Sequence, residues 1–338
     1  MNIFFLERGD NNLGSNRIYI NNLSYWISKL GIKVTKSKII KKGYTHYILS
    51  KYSTLKDLKE IKNVNKDKVI CGLVHPSDLN RNNLNMVRHI DFLLVGSIEE
   101  KDYYSYLEKP IIRFPQIEKI KLKKKKHINK KNIVIGYHGN LEHLEEMDAL
   151  KNALESLNLK HNITLSVIFD KKLGKWIKGR PAIQIKEINW SFKNILKEIP
   201  KFDIGIVPCT NNFFLDKPLA NKNIFKQILK FFTGGKNKRI NDYVLRFKVT
   251  SNSGRAFIFH QLGIPVIADF WPSNFEILGN PRNGYLAHSQ NAWYNALEEL
   301  IKSASKRQFI ANNAQAEFTK NYDPSFWSKN FINELKKI

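Results

Sequence analysis

Short apolar runs of strand length alternate with helix-spaced runs along the whole chain. That alternation limits it to an α/β fold. Residues 2–6 are a short apolar strand. Residues 8–17 are a polar loop holding Gly9 and Gly14. Residues 18–30 carry apolar side chains at 20, 23, 26, 27 and 30, which is helical spacing, and Gly31 stops the helix. Further strands are expected at 32–36, 45–49, 69–74, 91–96 and 111–114, with helical stretches between several of them. The βαβ rhythm predicts a mostly parallel, doubly wound sheet.

Residues 118–131, EKIKLKKKKHINKK, interrupt the rhythm. A block of like charge resists packing and reads as a linker or solvated surface. The pattern then restarts, with strands at 132–137, 163–169 and 203–207 and helices at about 144–157 and 291–304. The tail from Asp323 is a last amphipathic helix with an aromatic face. This divides the chain into an N-terminal Rossmann-like domain (1–118, joined by the helix 323–338), a basic linker (119–131) and a C-terminal domain (132–322). A length of 338 residues suits two domains.

Residues 244–286 hold the densest chemistry. Ser253 and Gly254 open a helix whose first N–H groups have no intrahelical partners and form an anion site. Lys248 and Arg255 add positive charge on either side. Gly263 ends that helix, and residues 265–268 form a buried strand. The loop after it, with Asn274, Phe275 and Glu276, falls at a carboxyl strand end, where open α/β sheets bind ligands.

The formal net charge is +26. Either an anionic partner selects it, or it follows from a Lys-, Asn- and Ile-rich composition in which Lys far outnumbers Arg. No nucleic-acid-binding signature accompanies the charge, so no nucleic-acid partner is expected. A nucleic-acid-binding protein stays open as the alternative reading. An NAD-linked oxidoreductase would need a G-x-G-x-x-G after a first strand, and neither half has one. Hydrophobic residues make up 42%, enough for real cores. Cys71 and Cys209 build no disulfide framework or zinc spacing, which suits a reducing compartment. The N-terminus lacks signal-peptide character, and no apolar run reaches the ~18 residues that span a bilayer. A cytoplasmic location is expected, with peripheral contact at the inner face of the membrane as its extension.

The order of motifs in the second half resembles the donor domain of GT-B glycosyltransferases, group 1 or family 4-like, which use nucleotide-sugar donors. The resemblance covers roughly residues 132–330. Residues 135–140, Ile-Gly-Tyr-His-Gly-Asn, match the first donor-domain strand and loop. Residues 203–208, Asp-Ile-Gly-Ile-Val-Pro, match the strand before the donor loop. Residues 263–268 match its Gly-x-Pro-Val-hydrophobic-Ala element. Gly14, Ser15 and Arg17 resemble the loop that opens the acceptor-side domain. The resemblance implies two Rossmann-like domains facing a cleft, with the final helix crossing back to the first domain. It implies sugar transfer from a nucleoside diphosphate sugar to a glycan or lipid-linked acceptor in surface polysaccharide or glycoconjugate assembly. Gly139, Asn140, Lys248, Ser253, Gly254, Arg255, Asn274, Phe275 and Glu276 would bind the donor. Many retaining members carry two glutamates eight positions apart just before the Gly-x-Pro element. The corresponding positions here are Thr250 and Ile258. Stereochemistry, and whether the fold is catalytic or a binding module, therefore stay open. No Asp-x-Asp stands in a suitable loop, so neither a metal nor a separate cofactor is expected.

His75, at the carboxyl end of the 69–74 strand, is the candidate base for the acceptor hydroxyl, and Asp78 is the second choice. His75 is expected to face Glu276. Residues 211–243 read as a basic, aromatic amphipathic helix, which either lies on an anionic membrane through 222–239 or packs on the donor domain with its lysines outward.

Overall fold

After its first residue, strand β1 (Asn2–Leu6) is wholly buried and its two sides feed different cores. Ile3 and Phe5 join one apolar cluster and Phe4 and Leu6 another. A strand buried on both faces belongs to a sheet covered by helices on both sides. In the computed structural model, which describes residues 1–10, 12–65, 67–75, 85–145, 147–209 and 253–338, β1 sits in such a sheet. Its partners are β2 (Lys33–Ser37), β3 (His46–Leu49), β4 (Ile70–Val74), β5 (Phe92–Val95) and β6 (Ile111–Arg113), in the order β2-β1-β3-β4-β5-β6, all parallel. The helices used below are α1 (Leu23–Lys29), entered through a π-helical run at Asn16–Asn22, then α2 (Leu55–Val64) and α3 (Ile98–Tyr103). Thr54 and Asp57 form a reciprocal capping box that starts α2, and the Ser97 hydroxyl caps α3.

The second half repeats the plan. Strands β7 (Asn132–His138), β8 (Asn162–Phe169), β9 (Gln184–Asn189), β10 (Ile204–Val207), β11 (Val266–Ala268) and β12 (Tyr285–Leu286) form a parallel sheet ordered β12-β11-β10-β7-β8-β9. Around it stand α4 (Asp148–Asn158), α5 (Phe192–Glu198), α6 (Gly254–Gln261), α7 (Pro272–Leu278), α8 (Gln290–Lys302) and α9 (Ala304–Asn321). Gly136 in β7 lets the Phe202 ring lie on the strand: a Cβ there would meet Phe202 Cδ2 at 1.8 Å. Gly263, at φ 72, supplies the left-handed residue that ends α6.

The last helix, α10 (Pro324–Leu335), starts at Asp323, whose carboxylate accepts from the Ser325 N–H. Its Phe331, Ile332 and Leu335 join the cluster of Ile3, Phe5, Ile20 and Leu23. The chain therefore ends on the first sheet, as expected.

Two sequence expectations are corrected here. The basic segment 119–131 is not merely solvated. Lys125 turns inward to Asp203 and the Phe202 carbonyl, and burial pushes its pKa down to about 8. His127 is buried against the Gly263 carbonyl at 2.9 Å. The expected Glu-bearing loop after β11 is instead helix α7, with Pro272 in its first turn.

The halves meet through side chains. Glu99 on α3 accepts from the Ser273 N–H at 2.9 Å and from its hydroxyl. Arg113 at the end of β6 grips Glu276 on α7 with both terminal nitrogens. The Gln261 amide donates to the Glu118 carbonyl at 3.0 Å.

Candidate functional site

Each sheet grows in one direction and then reverses, between β1 and β3 in the first and between β7 and β10 in the second. Ligands of open α/β sheets settle outside the carboxyl strand ends at such reversals. A cleft of about 290 Å³ lies there. The loop after β1 supplies Asp10, Asn12, Leu13, Gly14 and Arg17, and the end of β7 supplies His138, Gly139 and Asn140. Gly254 and Arg255 from α6 and Trp190 beyond β9 complete the opposing wall.

Arg255 is the centre of its charge. The side chain is buried, its Nη1 donates to the Tyr137 hydroxyl at 3.2 Å, and its Nη2 lies 3.4 Å from Cys209 Sγ. Its Nε has no partner, and among the described residues no carboxylate pairs with it. A buried cation without a counter-ion is costly, and an anion bound in the cleft would offset that cost. The backbone makes room for it. Gly139 has φ 140, and a Cβ there would stand 2.9 Å from the Tyr137 hydroxyl and 3.2 Å from Arg255 Cδ. Helix α6 opens at the same place, and its first amide, Gly254 N–H, reaches Gln116 Oε1 only at 3.4 Å.

His138 lies beside this cation. Burial, and then the Arg255 charge, push its pKa down to about 3, so it is neutral at pH 7. Its Nε2 approaches the Arg255 carbonyl at 3.4 Å, and its ring meets Phe259 edge-on at 5.0 Å. A neutral imidazole adds no second positive charge and orients the backbone that carries Arg255.

Arg17 brings the first half to the same cleft. It lies in the π-helical run and donates to Glu118 at 2.8 Å from Nε, while its guanidinium stands over Phe192 at 5.0 Å and Trp190 at 5.5 Å. Glu118 is nearly inaccessible and also accepts from Asn22 at 3.2 Å. The paired Arg17 thus acts as a strut between the halves, whereas Arg255 meets no carboxylate among the described residues.

The cleft therefore gathers Gly14, Arg17, Gly139, Asn140, Gly254 and Arg255, which the sequence had scattered over 242 positions. Ser253 stands at the start of α6, and its side chain makes no capping hydrogen bond there. Lys248, Asp78 and the segment 211–243 lie outside the described residues. Three expected donor residues stand elsewhere. Asn274 is buried and ties α7 to the Asp269 carbonyl at 2.9 Å. Phe275 is exposed and packs edge-on against Phe270 at 4.6 Å. Glu276 is taken up by Arg113.

His75 sits at the end of β4 with a left-handed backbone, φ 45. Its Nδ1 pairs with Glu100, which is wholly buried and also accepts the Gly96 N–H at 2.9 Å. Its ring stacks near Tyr19, 6.1 Å between centroids. His75 is thus engaged by Glu100 and Glu276 by Arg113. Glu99, Glu100, Gln116, Glu118, His138 and Trp190 escaped the sequence reading. Only His138 had a local signal, its place just before Gly139 at the end of an apolar strand.

No family model and no curated protein matches this sequence. Solved structures do match in shape. Sucrose-phosphate synthase from Thermosynechococcus elongatus superimposes with a TM-score of 0.65 at 9% identity, covering 100% of this chain and 99% of that one. The chain has the GT-B fold. Anabaena HepE in complex with UDP and glucose shares the GT-B fold at TM-score 0.61 and 12% identity, with both chains covered in full. TarM matches at TM-score 0.57 and 11% identity over 93% of this chain, which spans only 58% of TarM. The two parallel sheets and the returning terminal helix are the parts of the GT-B fold that place the cleft between the halves.

Proposed function

We propose that this chain is a glycosyltransferase that moves a sugar from a nucleoside diphosphate sugar to a glycan or lipid-linked acceptor. One observation carries the reading: a buried arginine with no carboxylate partner among the described residues, beside a helix N-terminus at the strand-order reversal of the second sheet. A diphosphate supplies the charge this arrangement lacks. When the glycosidic bond of the donor breaks, negative charge grows on the leaving phosphate oxygen. Arg255 and the first amides of α6 would stabilise that charge without moving, because Tyr137 and Cys209 already hold the guanidinium. The neighbour HepE holds UDP and glucose, which makes uridine diphosphate the first nucleotide to try.

His75 is the proposed base for the acceptor hydroxyl. Glu100 would orient its imidazole and stabilise the imidazolium formed on proton transfer. This role requires the acceptor to enter from the β4 end of the first sheet, beside Tyr19 and Gln116.

Calorimetry with UDP, GDP, ADP and CDP tests the donor half of the reading. Binding of one of them by the parent chain, weakened in Arg255→Ala, supports it; no binding of any of the four removes it. Retained nucleotide affinity with turnover lowered about a hundredfold or more in His75→Gln would support the base.

A further inference from the structure

The basic strap between the halves has a second property that sugar transfer does not need. Residues 119–131 contain eight lysines and no acidic residue. Three of the lysines are engaged. Lys125 and Lys130 bind Asp203, and Lys119 stands over the Tyr25 ring at 3.4 Å. Among the described residues, Lys121, Lys123, Lys124, Lys126 and Lys131 have no carboxylate partner, and all five are exposed.

The strap is not a loose tail. The Lys123 N–H donates to the Gln261 carbonyl at 2.8 Å, and the Gln315 amide donates to the Lys123 carbonyl at 2.8 Å. Gln308 donates to the Lys125 carbonyl at 3.0 Å and accepts from the His127 N–H at 2.9 Å. Helix α9 thus pins the strap backbone through two glutamines. Lys125 turns inward, and its neighbours Lys124 and Lys126 are exposed. They border an open trough of about 750 Å³ with Leu122, Gln308, Asn312, Gln315 and Thr319.

Exposed apolar side chains stand on the strap and on α9. Leu122 in the trough wall is 42% exposed, and Ile128 on the strap and Phe309 on α9 are each 49% exposed. Phe309 lies three residues before Asn312, on the same stripe of α9. Lysines interleaved with solvent-facing Leu, Ile and Phe make an interfacial surface: apolar tips enter the acyl boundary while ammonium groups meet anionic headgroups.

We infer that the 119–131 strap, together with the Phe309 stripe of α9, is a docking surface for an anionic lipid bilayer. It does not depend on the proposed catalytic reaction. The full chain should float with vesicles of phosphatidylglycerol and phosphatidylcholine, bind pure phosphatidylcholine far less, and release as salt rises. Lys124→Glu combined with Lys126→Glu should weaken partition at least about tenfold, since each lysine near an anionic surface contributes about fivefold. Phe309→Ser should also weaken it. Both variants should keep the parent melting temperature within a few degrees, because the altered side chains face solvent. Unchanged flotation in a folded double variant would overturn the inference. So would equal binding to neutral vesicles, or tight binding to RNA with none to vesicles.

Discussion

The Arg255 guanidinium and the Tyr137 hydroxyl meet at 3.2 Å although 118 residues separate them in sequence. The contact joins β7, the first strand of the second half, to α6, the helix that precedes β11. It aims a buried cation at the cleft before any ligand arrives. Arg255→Ala should therefore weaken nucleoside diphosphate binding by roughly 1.5–3 kcal/mol, the usual worth of a charged hydrogen bond. Arg255→Lys should recover only part of this, because an ammonium cannot keep the two-sided grip on Tyr137 and Cys209. Equal affinity of parent and alanine variant in calorimetry would exclude Arg255 from the site.

Gly139→Ala tests the fit of the backbone below that guanidinium. The new Cβ would enter at φ 140, 2.9 Å from the Tyr137 hydroxyl. A loss of about 1–2 kcal/mol in denaturant unfolding is expected, from backbone strain and displaced packing. Nucleotide affinity should fall as well, because Arg255 must shift. A variant as stable as the parent, with full affinity, would show that the site tolerates the side chain.

The seam between the halves rests on α7. Glu99→Ala leaves the Ser273 N–H and hydroxyl without their acceptor in a buried place, which should cost about 2–3 kcal/mol. Small-angle scattering should show a larger radius of gyration as the halves part. Glu276→Gln breaks only a partly exposed pair with Arg113, worth about 0.5–1 kcal/mol. It should leave nucleotide affinity unchanged. A large drop in affinity would instead return Glu276 to the donor site.

Three buried histidines set an acid limit. Burial pushes His138 and His260 down to about 3 and His127 to about 4. Each is neutral in the folded chain but titrates near 6.5 when unfolded, so between pH 6.5 and 4 the unfolded state binds more protons. Their contribution is complete above pH 6.5 and is lost as pH falls. Stability should drop by up to about 1.4 kcal/mol per pH unit for each of the three. Chemical unfolding at pH 7, 6.5, 6 and 5.5 measures the slope. A flat profile over that range would mean that these imidazoles become charged without unfolding.

Elements with a local code were readable without the structure. Strand β1, the stop at Gly263 and helix α10 with its Asp323 cap are each specified by side chains within a few positions of one another. Others lacked such a code. Strand β9 is an edge strand of mostly polar residues, and α9 packs on α6 and α8 with few apolar residues and a fully buried Arg307. Pro272 did signal the start of α7, but a proline is equally at home in a loop.

The sequence by itself determined the α/β rhythm, the two halves and the helix start with its positive charge at Gly254 and Arg255, because periodicity, glycine stops and charge are local properties. Only the tertiary structure decided which of those residues share a cleft. Sheet order places the end of β7 next to β10, and the chain reversal there puts Gly139 against Arg255. The same long-range packing assigned Glu276 to Arg113, His75 to Glu100 and Arg17 to Glu118. An ion pair depends on where two side chains meet after folding, and residues 101 positions apart, as Arg17 and Glu118 are, carry no local mark of that meeting.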